Sequence, residues 1–348
     1  MGQKDGNRME GIDEYRVTGW LEEQIPGLRP PLEFSLIAGG HSNLTYRFTD
    51  RSGAAWVLRR PPLGHILESA HDMGREHRII DGLGNSGVPV PRAIGLCRDA
   101  EVNGAPFYVM SFVEGEVLHD AAAARRLDEA ERFATGMHAV EVLARLHALE
   151  PADVGLGDLG RREAYLARQL KRWKRQWLAS KTHEIPEMEE TARILEESMP
   201  EQIGSAIVHG DYRLGNMIVG GGRVRAVLDW ELCTLGDPLA DVGYLLNSWV
   251  APGEMDVASA TTAAGGFPAR KEIAAHYAQL SGRNLGGIGY YRAFSHWRLA
   301  AIGQGVYKRY LVGAMGERGD FDLESYKDSV TVRARSALEL LEGRAEAG

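Results

Sequence analysis

The first third of the chain alternates short apolar runs with turns that contain glycine or proline. Such runs predict β-strands, because they are too short for helices and are bounded by turn residues. The predicted strands lie at residues 34–37, 44–48, 55–59, 93–97 and 107–112, and helical spacing occurs at 14–24 and 72–83. We therefore expect a small antiparallel sheet with one main helix.

Beyond Gly115 the apolar positions recur at helical spacing. Helices are predicted at residues 132–149, 161–180, 188–199, 239–249, 270–280 and 288–311, with a β-rich segment at 207–230. A sheet-rich start and a helix-rich remainder predict an α+β protein with two lobes. The expected organisation is an N-terminal extension and helix at 1–30, an N-lobe at 31–112 and a C-lobe at 113–348.

Composition and charge remove several broad classes of protein. The 348 residues are 44% hydrophobic and 25% charged, which suits a globular chain with a sizeable core. The net charge of −8 gives no overall basic field for nucleic acid. The two cysteines, Cys97 and Cys233, have no paired metal-ligand spacing. Without a recognisable leader or membrane-spanning run, a cytoplasmic protein with no membrane or nucleic-acid partner is expected.

The densest group of reactive side chains lies in the 207–230 segment. Asp211 stands in a glycine-flanked loop that ends at Asn216, and Asp229 follows a predicted hairpin that turns at 220–222. The hairpin should return Asp229 to the neighbourhood of Asn216. An amide oxygen and a carboxylate are hard ligands that suit Mg²⁺, and Asp211 would act there as a base or orient a hydroxyl. The alternative, an ordinary acidic turn, is disfavoured because several spaced elements agree.

This spacing resembles that of a known enzyme superfamily. Asp211 and Asn216 reproduce the Asp-x-x-x-x-Asn catalytic loop of protein kinases, and the His-Gly-Asp opening is similar to that of aminoglycoside phosphotransferases and choline kinases. The resemblance implies a protein-kinase-like bilobal fold, an ATP- and Mg²⁺-dependent small-molecule kinase, a catalytic Asp211, and magnesium ligation by Asn216 and Asp229.

Two neighbours of Asp211 have expected roles in the same loop. His209 should brace the loop through hydrogen bonds rather than transfer protons. Arg213 occupies the place of a protein-kinase lysine that reaches the γ-phosphate, so the resemblance gives it the same task. A plain solvated side chain is the alternative for Arg213.

A glycine turn between the first two predicted strands is the candidate phosphate loop. Gly39 and Gly40 would present backbone N–H groups to phosphates, and Ser42 or Asn43 would add a side-chain donor. A glycine hairpin without a ligand is the alternative.

Arg59 ends the third predicted strand, where the resemblance places a lysine that binds the α- and β-phosphates. Glu76, in the following helix, is its expected ion-pair partner. Arginine keeps the charge and forks onto phosphate, but its geometry differs from that of lysine. A shift of one residue would give Arg60 this role, and a surface salt bridge is the alternative without a ligand.

The passage at residues 107–113 resembles the strand-to-hinge segment that binds adenine in this fold. The backbone of Ser111 and Val113 would hydrogen-bond adenine, and Met110 would border the adenine pocket. Met110 has an alternative role in the core, as is usual for apolar strand residues.

The residues after Asp229 suggest structural roles. Asp237 is expected to cap a helix that begins near Pro238, and Asp241 to brace the catalytic loop. Because no Ala-Pro-Glu activation segment follows Asp229, a protein kinase is a weak alternative.

Three stretches, at residues 57–62, 228–231 and 236–241, resemble the kinase domain that is fused to some acyl-CoA dehydrogenases. That branch is implicated in phosphorylating 4-hydroxyacyl-CoA. The resemblance makes a hydroxyacyl-CoA-like anion a candidate acceptor and implies a link to acyl-CoA metabolism. An aminoglycoside acceptor and a nucleotide-binding pseudoenzyme or scaffold are the alternatives.

Basic residues concentrate in the predicted helix at 161–177. Arg168, Arg172 and Arg175 share one face of it, which could receive the phosphates of coenzyme A. A solvated basic face without a ligand is the alternative. Glu231 is a further candidate for contact with the acceptor or for pairing with a nearby cation.

Overall fold

The computed structural model describes residues 9–38, 43–63, 72–250, 260–313 and 322–345. The chain divides into two compact units. Unit 1 is drawn from Met1–Gly115, Val154–Leu156 and Arg225–Glu231, and unit 2 from Glu116–Asp153, Gly157–Val224 and Leu232–Gly348. Unit 1 thus takes in a short stretch from much later in the sequence, and that stretch carries Asp229.

Unit 1 is built on a five-stranded antiparallel sheet of order β1-β2-β3-β5-β4. Its elements are α1 (Glu14–Gln24), β1 (Glu33–Ala38), β2 (Leu44–Thr49), β3 (Ala55–Arg60), α2 (Met73–Leu83), β4 (Ala93–Cys97), α3 (Ala100–Asn103) and β5 (Phe107–Ser111). The predicted strands and both predicted helices are confirmed with ends that differ by at most one residue. The short α3 is an addition.

The core of unit 1 joins α1 to the sheet. Val17 and Leu21 of α1 share a buried cluster with Phe48, Leu58 and Phe107, and each such side chain contributes about 1.5–3 kcal/mol by leaving water. Side chains alternate along a strand. Leu58 therefore faces this cluster, whereas its neighbours in β3 face the side on which α2 packs against β4 and β5.

Unit 2 is mostly helical. Its elements are β6 (Glu116–Val117), α4 (Ala121–Ala124), α5 (Glu129–Ala148), α6 (Tyr165–Ser180), α7 (Pro186–Glu197), β7 (Ala206–Val208), β8 (Met217–Gly220), β9 (Arg223–Val227, whose last residues belong to unit 1), β10 (Thr234–Gly236), α8 (Leu239–Asn247), α9 (Arg270–Ser281), α10 (Ile288–Leu311) and α11 (Leu323–Leu341). The predicted helices are confirmed, whereas β6, β10, α4 and α11 are additions.

Helix starts differ from the prediction for local reasons. α5 begins three residues early because Asp128 and Glu131 form a capping box. α6 begins only at Tyr165, since Ala164 has φ 50° and ends the helical path before it. α7 begins at Pro186, because proline suits the first turn of a helix.

Helix α10 organises unit 2 by packing against α6, α7, α8 and α11. Trp297 at its centre is fully buried, and its ring nitrogen donates to the Met188 carbonyl oxygen at 3.0 Å. Among the described helices none is both long and apolar enough to cross a membrane.

Candidate active site

The loop after β7 brings Asp211 and Asn216 together. Asn216 Nδ2 donates to Asp211 Oδ2 at 2.7 Å and to the Asp211 carbonyl oxygen at 2.9 Å. Both bonds use the amide nitrogen, so the amide oxygen remains suited to a metal ion. The Asp211 side chain keeps 20% of its surface exposed, which leaves it accessible to a substrate.

Asp241 and His209 hold the backbone of this loop. Buried Asp241 accepts hydrogen bonds from the backbone N–H of His209 at 2.6 Å and of Gly210 at 2.8 Å. His209 Nδ1 accepts from the Asp211 N–H at 3.1 Å. The structure therefore confirms that both residues brace the loop.

Behind Asp241 lies a buried polar chain that the sequence did not reveal. His147 Nε2 contacts Asp241 Oδ2 at 3.3 Å, and His147 Nδ1 contacts the Tyr277 hydroxyl at 2.7 Å. Burial lowers the pKa of His147 and favours its neutral form. Burial alone would raise the pKa of Asp241, but its hydrogen bonds with His147 and Gly210 outweigh this and hold the pKa below its ordinary value.

Gly210 and Arg298 complete the support of the loop. Gly210 has φ 85°, and a Cβ there would lie 2.9 Å from the Leu232 carbonyl oxygen, so only glycine fits. Arg298 donates to the Gly210 carbonyl oxygen at 2.6 Å and lies over the Tyr244 ring at 5.1 Å. Arg298 was not singled out from the sequence, because its partner is distant along the chain.

A cavity of about 290 Å³ opens beside Asp211 within unit 2. Arg213, Tyr244, Leu299 and Arg333 are among the residues that line it. Arg213 Nε lies 3.5 Å from Asp211 Oδ1. Burial, and then the charge of Asp211, raise the pKa of Tyr244, so its phenol stays protonated and can donate to that carboxylate.

Helix α11 supplies Arg333 to this cavity, and sequence reasoning missed both. A periodic signal exists, because Val330, Ala334 and Ala337 form part of the buried stripe of α11. Two of the four buried residues of this stripe are alanine, so its apolar signal is weak.

In unit 1, Arg59 lies between two carboxylates. Its Nε is 3.0 Å from Glu76 Oε2, and its Nη2 is 2.7 Å from Asp229 Oδ1. Burial alone would lower the pKa of Arg59, but Tyr108, Glu76 and Asp229 raise it above its ordinary value. The predicted ion pair with Glu76 is confirmed. It is a buried pair, since only 13% of the Arg59 side chain and 2% of the Glu76 side chain are exposed.

Arg60 has a different task. Its guanidinium donates to the carbonyl oxygens of Gly11 and of Asn103, the latter at 3.1 Å. The ion pair with Glu76 is therefore formed by Arg59 and not by Arg60.

Of the candidate phosphate loop, only Asn43 can be described. Gly39, Gly40 and Ser42 lie outside the described residues. Asn43 Nδ2 donates to Glu76 Oε1 at 2.8 Å, and Asn43 Oδ1 is buried without a hydrogen-bond partner among the described residues.

Asp229 combines an unusual backbone with an available oxygen. Its φ of 66° lies in the left-handed region, which costs a non-glycine residue about 1 kcal/mol or more. Arg59 binds Oδ1, so Oδ2 is suited to a hard cation. The donor types of Asn216 and Asp229 thus fit magnesium. The two residues belong to different units, and their joint site remains a prediction.

The hinge residues keep their predicted positions at the end of β5. Met110 is buried, whereas Ser111 and Val113 are half-buried. The Ser111 N–H donates to the Arg92 carbonyl oxygen at 2.9 Å, so this donor is already used within the protein. The contact of the Ser111 and Val113 backbone with adenine stays a prediction.

The remaining candidates are not among the described residues that line the cavity beside Asp211. Arg172 is exposed and lies over the Trp173 ring at 4.9 Å, and Arg175 lines a separate groove with Leu170. Glu231 is half-buried in a 3₁₀ turn of unit 1. Asp237 accepts from the Leu239 N–H at 3.0 Å, which confirms its predicted place at the start of α8.

A sequence model of the phosphotransferase enzyme family matches residues 33–277. The chain belongs to this family. The resemblance drawn from its motifs is confirmed, as is the kinase-like fold with a sheet-rich N-terminal part and a helical remainder.

Curated relatives add a second finding. Acyl-CoA dehydrogenase family member 11 from Gallus gallus is 35% identical over 326 residues, which are 90% of this chain and 42% of that protein. Acyl-CoA dehydrogenase family member 10 from Mus musculus is 37% identical over 307 residues, which are 84% of this chain and 28% of that protein. The chain therefore spans less than half the length of either relative.

Solved structures agree on the fold. A protein from Ralstonia eutropha, provisionally called an aminoglycoside phosphotransferase, is 34% identical with a TM-score of 0.81 over 95% of this chain and 99% of that one. An aminoglycoside phosphotransferase solved with ADP and hygromycin B gives a TM-score of 0.61 at 17% identity, over 93% of this chain and 98% of that one. The second likeness supports the fold alone.

Proposed function

We propose that this phosphotransferase transfers the γ-phosphate of ATP to a hydroxyl group of a small-molecule acceptor. The pairing of Asp211 with Asn216, on a loop fixed by buried Asp241, carries the proposal. In the transfer, the acceptor oxygen bonds to the γ-phosphorus, the bond to the β–γ bridging oxygen breaks, and ADP leaves with that oxygen. The hydroxyl proton passes to Asp211 and then to solvent.

The remaining residues would bind and orient the nucleotide. Asn216 and Asp229 would hold Mg²⁺ through their oxygens, and the ion would neutralise phosphate charge. Arg59, held by Glu76, would contact the α- and β-phosphates, and Arg213 the γ-phosphate. Gly39, Gly40, Ser42 and Asn43 would cradle the phosphates, and Met110, Ser111 and Val113 would border adenine.

Two acceptor classes have specific support. A hydroxyacyl-CoA-like acceptor fits relatives named acyl-CoA dehydrogenases and the exposed basic residues Arg172 and Arg175, with Glu231 as a further contact. An aminoglycoside acceptor fits the structural neighbours of that name. The first class is preferred, because an exposed basic helix attracts phosphates and repels polycations.

A turnover screen tests the proposal. The full chain with MgATP is offered hydroxyacyl-CoAs, hydroxy acids, amino alcohols and aminoglycosides, and ADP release is measured. We expect release that depends on one acceptor class. MgATP binding without acceptor-dependent release across the panel would instead support a nucleotide-binding scaffold.

A further inference from the structure

Arg333 is a cation beside Asp211 that has no carboxylate partner among the described residues. It projects from α11 into the cavity that Asp211 lines, and it is half-buried. Across the described part of the chain, no side chain or backbone group forms a hydrogen bond or ion pair with it. Other half-buried arginines of unit 2 are bonded to the protein, as Arg283 is to the His147 carbonyl oxygen at 3.1 Å.

The charges around the cavity do not balance. Among the described residues that line it, the charged side chains are one carboxylate, Asp211, and two guanidinium groups, Arg213 and Arg333. Arg213 lies 3.5 Å from Asp211, so these two charges largely offset one another. The positive charge of Arg333 remains in excess.

The surroundings of Arg333 disfavour its charge. Burial and the nearby Arg213 lower the pKa of Arg333, while the phenols of Tyr244 and Tyr326 oppose this. An arginine stays protonated in proteins even so. A cation withdrawn from water without a counter-ion raises the free energy of the protein, and an incoming anion would remove that penalty.

We propose that Arg333 binds an anionic oxygen group, a carboxylate or a phosphate, carried by the acceptor itself. The inference rests on the proposed kinase function and names its acceptor class as a hydroxylated small acid. The cavity volume of about 290 Å³ suits a short acid, since it lies at the small end of ligand sites. A hydroxyacyl-CoA carries its anionic groups on the coenzyme part. Arg333 therefore favours a short hydroxy acid, whose anion enters this cavity, over the hydroxyacyl-CoA class that the basic residues Arg172 and Arg175 favour.

Matched pairs of probes test the proposal by calorimetric binding to the full chain. The first pair is 4-hydroxybutanoate and its amide, and the second is glycerol 3-phosphate and glycerol. The anionic member of at least one pair should bind about tenfold tighter or more, the ratio that one charge-assisted hydrogen bond supplies. Comparing the two pairs tells a carboxylate site from a phosphate site.

In the variant Arg333→Gln, the affinity of the anionic probe divided by that of its neutral partner should fall close to one. Arg333→Lys should keep part of this ratio. Arg335→Gln is the matched control. Arg335 is on the same helix, 59% exposed and 3.8 Å from Glu187, so its loss should leave the ratio unchanged. Equal binding within both wild-type pairs, no binding by either anionic probe, or an unchanged ratio in Arg333→Gln overturns the proposal.

Measurements of probe binding and of ADP release distinguish a failure of the anion site from a failure of the kinase function. Without ADP release on any acceptor, an anion preference that depends on Arg333 would still establish the anion site while the kinase function failed. ADP release confined to neutral or cationic acceptors would uphold the kinase function and overturn the anionic acceptor.

Discussion

Arg59 in unit 1 and Arg333 in unit 2 are both withdrawn from solvent, but their surroundings differ. Arg59 lies within 3.0 Å of Glu76 and 2.7 Å of Asp229, whereas Arg333 has no hydrogen-bonding or ion-pair partner in the described residues. The protein itself orients Arg59 before a ligand arrives. Arg333 instead keeps its donors for a group that comes from outside, which is why we assign it to the acceptor.

The largest expected effect separates catalysis from binding. Asp211→Ala should lower turnover by about 10²–10⁴-fold, because it removes the group that takes the hydroxyl proton. MgATP affinity should stay within a few-fold, since the arginine cluster of unit 1 is untouched. Single-turnover kinetics and nucleotide titration measure the two effects, with exposed Asp153→Ala as the control. Turnover like the wild type in Asp211→Ala would exclude its catalytic role.

The next change compares the two arginines by stability alone. Arg59→Met should lower the free energy of unfolding by about 3 kcal/mol, because it leaves the buried Glu76 carboxylate without its cation. Arg333→Met should leave it unchanged or raise it, since no protein partner is lost and an unpaired, partly buried charge is removed. Urea unfolding of both variants without ligand measures the difference. Equal losses in the free energy of unfolding would contradict the view that Arg59 has partners in the protein and Arg333 has none among the described residues.

Asp241 is a buried anion that, like Arg59, has its hydrogen-bonding partners within the protein. Asp241→Asn should lower the free energy of unfolding by about 2 kcal/mol at pH 7, because the carboxylate accepts two backbone N–H groups. The folded-state pKa lies below the ordinary value. Its contribution is therefore present above about pH 4 and is lost as the pH falls through the folded pKa.

Urea unfolding between pH 7 and pH 3 tests this dependence, with Asp153→Asn as the exposed control. The difference in the free energy of unfolding between wild type and Asp241→Asn should become smaller in the acid range. A difference that stays constant with pH would mean that the charge of Asp241 does not produce the effect.

The smallest expected effect concerns nucleotide affinity. Asp229→Ala should weaken MgATP binding by about tenfold, or about 1.4 kcal/mol, because it removes a proposed metal ligand and one carboxylate of the Arg59 cluster. ADP titrated without magnesium should show a smaller loss. Equal losses with and without magnesium would contradict metal ligation by Asp229.

Most of unit 1 could be predicted from the sequence, because its strands are short apolar runs between clear turn residues. The ion pair of Arg59 with Glu76 was expected from the resemblance, which places a cation at the end of the third strand and its partner in the following helix. The catalytic loop was recognisable because Asp211 and Asn216 are local to one another. These residues lie in motifs that can be recognised along the chain.

The support of the loop and the acceptor side could not be predicted in the same way. His147 contacts Asp241 across 94 positions of sequence, and Arg298 contacts Gly210 across 88. Arg333 comes from a helix in which two of the four buried residues are alanine, so its buried face has a weak apolar signal in the sequence. Only packing in three dimensions brings these side chains to the loop.

Unit 1 is discontinuous in sequence, and its later stretch Arg225–Glu231 supplies the Asp229 carboxylate that pairs with Arg59. A fragment ending at Gly115 would retain the guanidinium with one carboxylate and lose the other. A chimaera of two homologous proteins with a single crossover near Gly115 would likewise take Arg59 from one parent and Asp229 from the other. Grafting the first unit intact therefore requires three separated pieces of coding sequence to move together.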